Sequence, residues 1–179
     1  GYFWAAAAVT GSTVKVRRTA AASCQGDARL TEVLARMGCT VAAHADGLAV
    51  TGGPLTGVEV DMADMPDVVP TLAVVAAYAS GRTVIRGVGH LREKESDRLA
   101  TVCEGLRRLG VEAGHDTQTL WVAGGGSPRA AAIDCHDDHR IAMSFAVAGL
   151  AIPGVEIQDE GCVRKSFPTF WEVFETLYR

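Results

Sequence analysis

Laid against itself at an offset of about 70 residues, the chain repeats. An Ala-rich apolar stretch, a glycine and a short β-branched run recur as AAAAVTGSTVKV (5–16), AVVAAYASGRTVI (73–85) and AVAGLAIPGVEI (146–157). Val14, Val84 and Val155 fall in register, at offsets of 70 and 71. A second element recurs as LTEVLARMG (30–38), LATVCEGLRRLG (99–110) and FPTFWEVFETL (167–177). A period this long exceeds that of the common solenoids and points to duplicated subdomains packed around a shared centre.

Each piece of the unit has a local reading. The Ala-rich stretches predict helices whose small side chains permit close packing, each ended by a glycine cap. The TV-x-V runs suit strands. The second-type helices space their apolar residues by three and four, as at Leu30, Val33, Leu34 and Met37, and again at Leu99, Val102, Leu106 and Leu109. CTVAAHADGLAVTGG (39–53) and VEAGHDTQTLWVAGG (111–125) alternate around polar turn residues and predict hairpins. Short strands are expected at 58–60 and 132–134, ahead of two of the Ala-rich helices. The unit is therefore strand, helix, strand, helix, hairpin, or βαβαββ, and the fold class is α/β. The first copy begins inside its helix and the last lacks a hairpin, so a longer parent polypeptide is expected.

Composition narrows the function. Apolar residues make up 48% and charged residues 21%, which suits a folded chain, not a disordered one. A net charge of −4 argues against a general nucleic-acid or anionic-membrane binder. No apolar run approaches the roughly 18 residues of a spanning helix. Cys24, Cys39, Cys103, Cys135 and Cys162 are odd in number, scattered and without a CxxC, which reads as reduced thiols in a cytoplasmic protein.

The charged residues gather at loops ahead of helices. Asp67 and Asp138 stand 71 residues apart at matching places before the second and third Ala-rich helices. Each reads either as an N-cap or as a site carboxylate. The loop His90-Leu91-Arg92-Glu93-Lys94-Glu95-Ser96-Asp97-Arg98 corresponds to Cys162-Val163-Arg164-Lys165-Ser166, with Lys94 and Lys165 in register. Asp138-His139-Arg140 opens the third Ala-rich helix. Under approximate three-fold symmetry these loops converge, bringing Lys94, Arg98, His139, Arg140 and Lys165 beside several helix N-termini. That combination suits a small, phosphorylated anion. Glu95 and Asp67, set among cations, are candidates for acid and base. Cys135, His136 and His139 lack a second ligand pair at zinc spacing, and neither GxxxxGK[ST] nor Gly-x-Ser-x-Gly occurs.

In YFWAAAAVTG (2–11), QGDARLTEVLARMG (25–38), DMPDVVPTLAVVAA (64–77), LREKESDRL (91–99), DDHRIAM (137–143) and KSFPTFWEVF (165–174), the chain closely resembles the C-terminal half of the EPSP synthase family. The resemblance runs end to end and in order, and KESDR separates it from the UDP-N-acetylglucosamine enolpyruvyl transferases. It implies two domains, each of three βαβαββ units in pseudo-three-fold arrangement, with helices inside and sheets outside (an inside-out α/β barrel). The chain 1–179 would be a single C-terminal domain, without the N-terminal domain and the strand that the far N-terminus contributes.

The resemblance also implies transfer of the enolpyruvyl group of phosphoenolpyruvate to the 5-hydroxyl of shikimate 3-phosphate, with no metal or organic cofactor. By matching positions, Asp67 is the base towards the 5-hydroxyl and Glu95 moves a proton at the methylene carbon. Arg98, Arg140 and Lys165 hold phosphoenolpyruvate, His139 supports the site, and Lys94 and His90 reach shikimate 3-phosphate. The family's N-terminal substrate motifs are absent from this sequence, so negligible turnover is expected of the chain alone. The alternatives are a stand-alone anion-binding module without catalysis, or another enolpyruvyl transferase such as the UDP-N-acetylglucosamine enzyme.

Overall fold

The computed structural model describes residues 1–19 and 26–178. Cys24 and the start of the QGDARL motif lie outside the described residues.

The three copies are visible as three runs of elements. The first holds α1 (Tyr2–Thr10), β1 (Thr13–Arg17), α2 (Gly26–Met37), β2 (Thr40–His44) and β3 (Gly47–Thr51). The second holds β4 (Glu59–Asp61), α3 (Val69–Ala76), β5 (Arg82–Arg86), α4 (Arg98–Arg108), β6 (Glu112–His115) and β7 (Thr119–Ala123). The third holds β8 (Ala132–Ile133), α5 (His139–Ala151), β9 (Glu156–Ile157) and the short α6 (Phe170–Glu175).

The strands assemble by one rule. In the second copy the sheet order is β4-β5-β7-β6, with β4 and β5 parallel and the β6–β7 hairpin antiparallel. The first copy gives β1-β3-β2, the same order without the leading strand. The third gives β8-β9, the parallel pair without the hairpin. Both hairpins form where the sequence places them. Among the described residues the sheets stay separate and do not close into a barrel. Each packs one face inward, as the buried Val50, Ile85, Leu120 and Val122 show.

The helices fill the centre. All eight residues of α3 are buried, as are nine of α5 and six of α1. A helix apolar around its whole circumference is stable in water only when surrounded, and these three pack on one another. Thr71 and Ser144 meet across α3 and α5 in a buried 2.9 Å hydrogen bond, so each satisfies the other's hydroxyl. The expected glycine cap is present on α1, where Gly11 ends the helix with φ of 70°, a region that costs a Cβ-bearing residue energy. The other two helices end differently: α3 is capped by Ala77 and α5 by Ile152, and Gly81 and Gly154 turn the chain farther on, with φ of 82° and 90°. By contrast α2 and α4 bury one stripe each, Leu30, Val33, Leu34 and Met37 on α2, and Leu99, Val102 and Leu106 on α4. Among the described residues, no helix is long and apolar enough to cross a membrane.

Candidate active site

Three helix starts come together through ion pairs. Arg98 opens α4, yet its side chain is only 1% exposed. A guanidinium can be buried this deeply only with its N–H groups paired. Its Nε donates to Asp138 Oδ2 at 2.8 Å and its Nη2 to Asp138 Oδ1 at 3.3 Å. Nη2 also donates to Glu95 Oε2 at 2.6 Å, and Nη1 to Asp67 Oδ1 at 3.3 Å. Asp67 sits in the 3-10 turn Pro66–Val68 that leads into α3, and Asp138 directly precedes α5. The second arginine, Arg140 in the first turn of α5, donates from Nη2 to Asp67 Oδ2 at 2.7 Å and from Nη1 to the Asp67 carbonyl at 3.4 Å.

The matched aspartates therefore do different work. Asp138 caps α5 by accepting the Arg140 backbone N–H at 2.9 Å. Asp67 caps nothing: neither the turn that holds it nor α3 has a side-chain cap. Its half-exposed carboxylate faces the two arginines instead. The cap of α4 is Asp97, which accepts from the Ala100 N–H at 3.1 Å.

Electrostatics follow from this geometry. Burial alone would lower the Arg98 pKa, but its bond to Asp138 and the charges of Asp138, Glu95 and Asp67 outweigh it and raise the value. Burial likewise opposes ionisation of Asp138, yet the Arg98 bond and charge, the Arg140 N–H and the Ser96 hydroxyl hold its carboxyl below the usual range. His139, between Asp138 and Arg140 in sequence, is buried, with Nδ1 unpartnered among the described residues. Burial, then the Arg140 charge, push its pKa below the usual 6.5. The same burial that disfavours its charge closes Nδ1 off from solvent.

The remaining candidates lie on adjoining turns. His90 lies in the exposed turn Gly89–Glu93, and Lys94 follows it. Lys165 ends the turn Glu160–Lys165, which packs against α5. None of the three bonds to the Arg98 cluster. Among the described residues neither ammonium group has an ion-pair partner. Cys135, His136 and His139 do not converge. The Cys135 thiol is buried beside the Ile133 carbonyl, while His136 turns outward to Glu104 and Asp134. The residue that sequence reasoning undervalued is Asp138. Its signal was the match with Asp67, which could not show that Arg98 folds back onto it.

The EPSP synthase (3-phosphoshikimate 1-carboxyvinyltransferase) family model matches residues 1–174. The 3-phosphoshikimate 1-carboxyvinyltransferase of Syntrophobacter fumaroxidans is 52% identical over 179 residues, covering 98% of this chain and 42% of that protein. The chloroplastic one of Arabidopsis thaliana is 41% identical over 184 residues, covering 98% and 35%. Among solved structures, EPSP synthase from Acinetobacter baumannii superposes with a TM-score of 0.85 at 30% identity, over 98% of this chain and 44% of that one. The enolpyruvyl transferase NikO from Streptomyces tendae shares the fold, with a TM-score of 0.78 at 22% identity over 98% and 41%. The chain thus spans about two-fifths of the length of the curated relatives. With the family model running through nearly the whole sequence and identity at this level, the chain belongs to the EPSP synthase family.

Proposed function

We propose that this chain supplies the C-terminal, catalytic-acid-and-base half of an enzyme that transfers the enolpyruvyl group of phosphoenolpyruvate to the 5-hydroxyl of shikimate 3-phosphate, releasing phosphate. The observation that carries the reading is the interlocking of Asp67, Glu95, Arg98 and Arg140 from three separate helix starts. Two carboxylates held against two guanidinium groups suit a reaction that moves protons on anionic substrates.

In this reading the 5-hydroxyl oxygen attacks C2 of phosphoenolpyruvate and gives its proton to Asp67. The methylene carbon gains a proton from the Glu95 side, which produces a tetrahedral adduct. Loss of a proton from that same carbon then expels phosphate and restores the double bond. Arg140 holds the carboxylate or phosphate of the incoming anion, so binding exchanges its bond to Asp67 for one to substrate and leaves Asp67 free to act as base. The Arg98 charge lies beneath both acids. Lys165 completes the grip on phosphoenolpyruvate, His139 supports the site from behind, and Lys94 and His90 face shikimate 3-phosphate. The other half of the enzyme closes over the site and excludes water. The reading carries a cytoplasmic location, in keeping with the unpaired thiols of Cys39, Cys103, Cys135 and Cys162.

The test is phosphate release from the two substrates by the chain alone and by a chimaera in which it replaces the matching region of the Syntrophobacter fumaroxidans relative. The chain alone is expected to be inactive and the chimaera active, with Asp67→Asn and Glu95→Gln each lowering kcat by about 10²- to 10⁴-fold. A folded chimaera without turnover overturns the reading in favour of a binding module.

A further inference from the structure

Asp138 is fully buried, so it touches neither solvent nor substrate. Yet its carboxylate accepts four hydrogen bonds, as many as the Arg98 guanidinium donates. Oδ2 accepts from Arg98 Nε at 2.8 Å and from the Ser96 hydroxyl at 3.0 Å. Oδ1 accepts from Arg98 Nη2 at 3.3 Å and from the Arg140 N–H at 2.9 Å. An N-cap needs one oxygen and one N–H. The other three bonds reach 40 or more residues back in sequence, to the loop that carries Glu95.

The backbone is shaped to deliver this side chain. His136 and Asp137 both have positive φ, 49° and 56°, a conformation that non-glycine residues adopt at a cost. The turn is held by the Asp134 carboxylate, which accepts the His136 N–H at 2.9 Å, and by the Asp138 N–H bonded to the Cys135 carbonyl at 2.9 Å.

We propose that Asp138 is the positioning residue of this active site. It clamps the Nε edge of Arg98 and the first turn of α5, so that one carboxylate fixes the directions of Arg98, Glu95 and Arg140 together. With the Nε–Nη2 edge held by Asp138, Nη1 is left to face Asp67, and Nη2 shares its second N–H with Glu95. A bidentate carboxylate sets the plane of a guanidinium, which a single bond does not. Arg140 is set by a different route, because its backbone N–H is the capped one.

The inference rests on the proposed function, and the active chimaera is the system in which to test it. Asp138→Ser keeps an N-cap but is too short to span the guanidinium. Asp138→Asn keeps shape and cap but loses the charge and the second acceptor. Both are expected to raise KM for phosphoenolpyruvate and lower kcat/KM by about 10²-fold, the scale of an ångström-sized misplacement. The Arg98 Nε–H resonance is expected to move or broaden, while the unfolding midpoint of the Ser variant stays near that of Asn. A purely structural role predicts instead that kinetic loss follows the unfolded fraction and that the Ser cap rescues turnover.

If neither variant folds, Ser96→Ala reports. A raised KM at an unchanged unfolding midpoint supports the proposal, and an unchanged KM overturns it. Asp138 variants as active as the parent chimaera remove this inference alone. An inactive parent chimaera removes the functional reading and this inference with it.

Discussion

His139 ties burial to a pH-dependent stability. Its folded pKa lies below the usual 6.5 because it is buried beside Arg140, with Asp138, Glu95 and Arg98 also acting on it. As pH falls below that usual value, the unfolded chain takes a proton that the folded chain refuses, so stability drops. His139→Gln is expected to flatten this part of the profile, measured by urea unfolding between pH 7 and pH 5. Asp138 has the opposite history. Its carboxyl is depressed below the usual 3.8, so its stabilisation is present above that value and is lost as pH falls through the folded pKa. An acid unfolding step below the His139 range is the expected result, and it should be absent in Asp138→Ser. The thiols offer a third residue-level check. Burial pushes Cys103 up to about 11 and Cys135 up to about 12, so neither should react with a thiol reagent at pH 8 until the chain unfolds. Fast native-state labelling at either position contradicts this packing. The roles of Asp67 and Asp138 mark the limit of sequence reading here. The 71-residue match located both, but which one caps and which one faces the arginines depends on where Arg98 lies, and that is a tertiary fact.

At the scale of elements, periodicity was a reliable guide because burial follows it. The three-and-four spacing in α2 and α4 became their buried stripes, and the two alternating runs became antiparallel hairpins. The Ala-rich stretches had no such stripe, and they became the helices enclosed on all sides. Less legible was the last second-type helix, read as 167–177. It shortens to α6 plus a 3-10 turn at Thr176–Tyr178, anchored by the buried Phe170 and Phe174. The absence of barrel closure was also not legible, since pairing between sheets has no local sequence signal.

One packing contact gives an element-scale prediction. Gly105 lies inside α4, where a Cβ would fall 2.4 Å from the Phe145 ring of α5. Alanine ordinarily favours a helix over glycine by about 1 kcal/mol. Overpacking a rigid ring costs about 1–3 kcal/mol, so the clash is expected to win. Gly105→Ala should lower the unfolding midpoint, and Phe145→Leu should partly restore it in the double variant. An increase in stability from Gly105→Ala alone would show that α4 and α5 are not packed this closely.

For the molecule as a whole, the repeat explains why the charged residues gather where they do. Copies of one βαβαββ unit packed around their first helices bring the starts of α3, α4 and α5 to a common region, and polar residues at those starts become a cluster. Arg98, Glu95, Asp67 and Arg140 are joined there by bonds shorter than 3.5 Å. Among the described residues, Lys94 and Lys165 have no ion-pair partner and stand on the neighbouring turns. On the proposed reading, these loops form one anion site. The most direct measurement is a titration of the isotopically labelled chain with phosphoenolpyruvate, read by NMR at the arginine, lysine and histidine side chains. Weak binding, on the order of millimolar, is expected of a chain spanning two-fifths of its relatives. Shifts confined to Arg98, Arg140, His139 and Lys165 are expected. Shifts elsewhere with these four unmoved, or no shift at saturating phosphoenolpyruvate, would overturn the anion site.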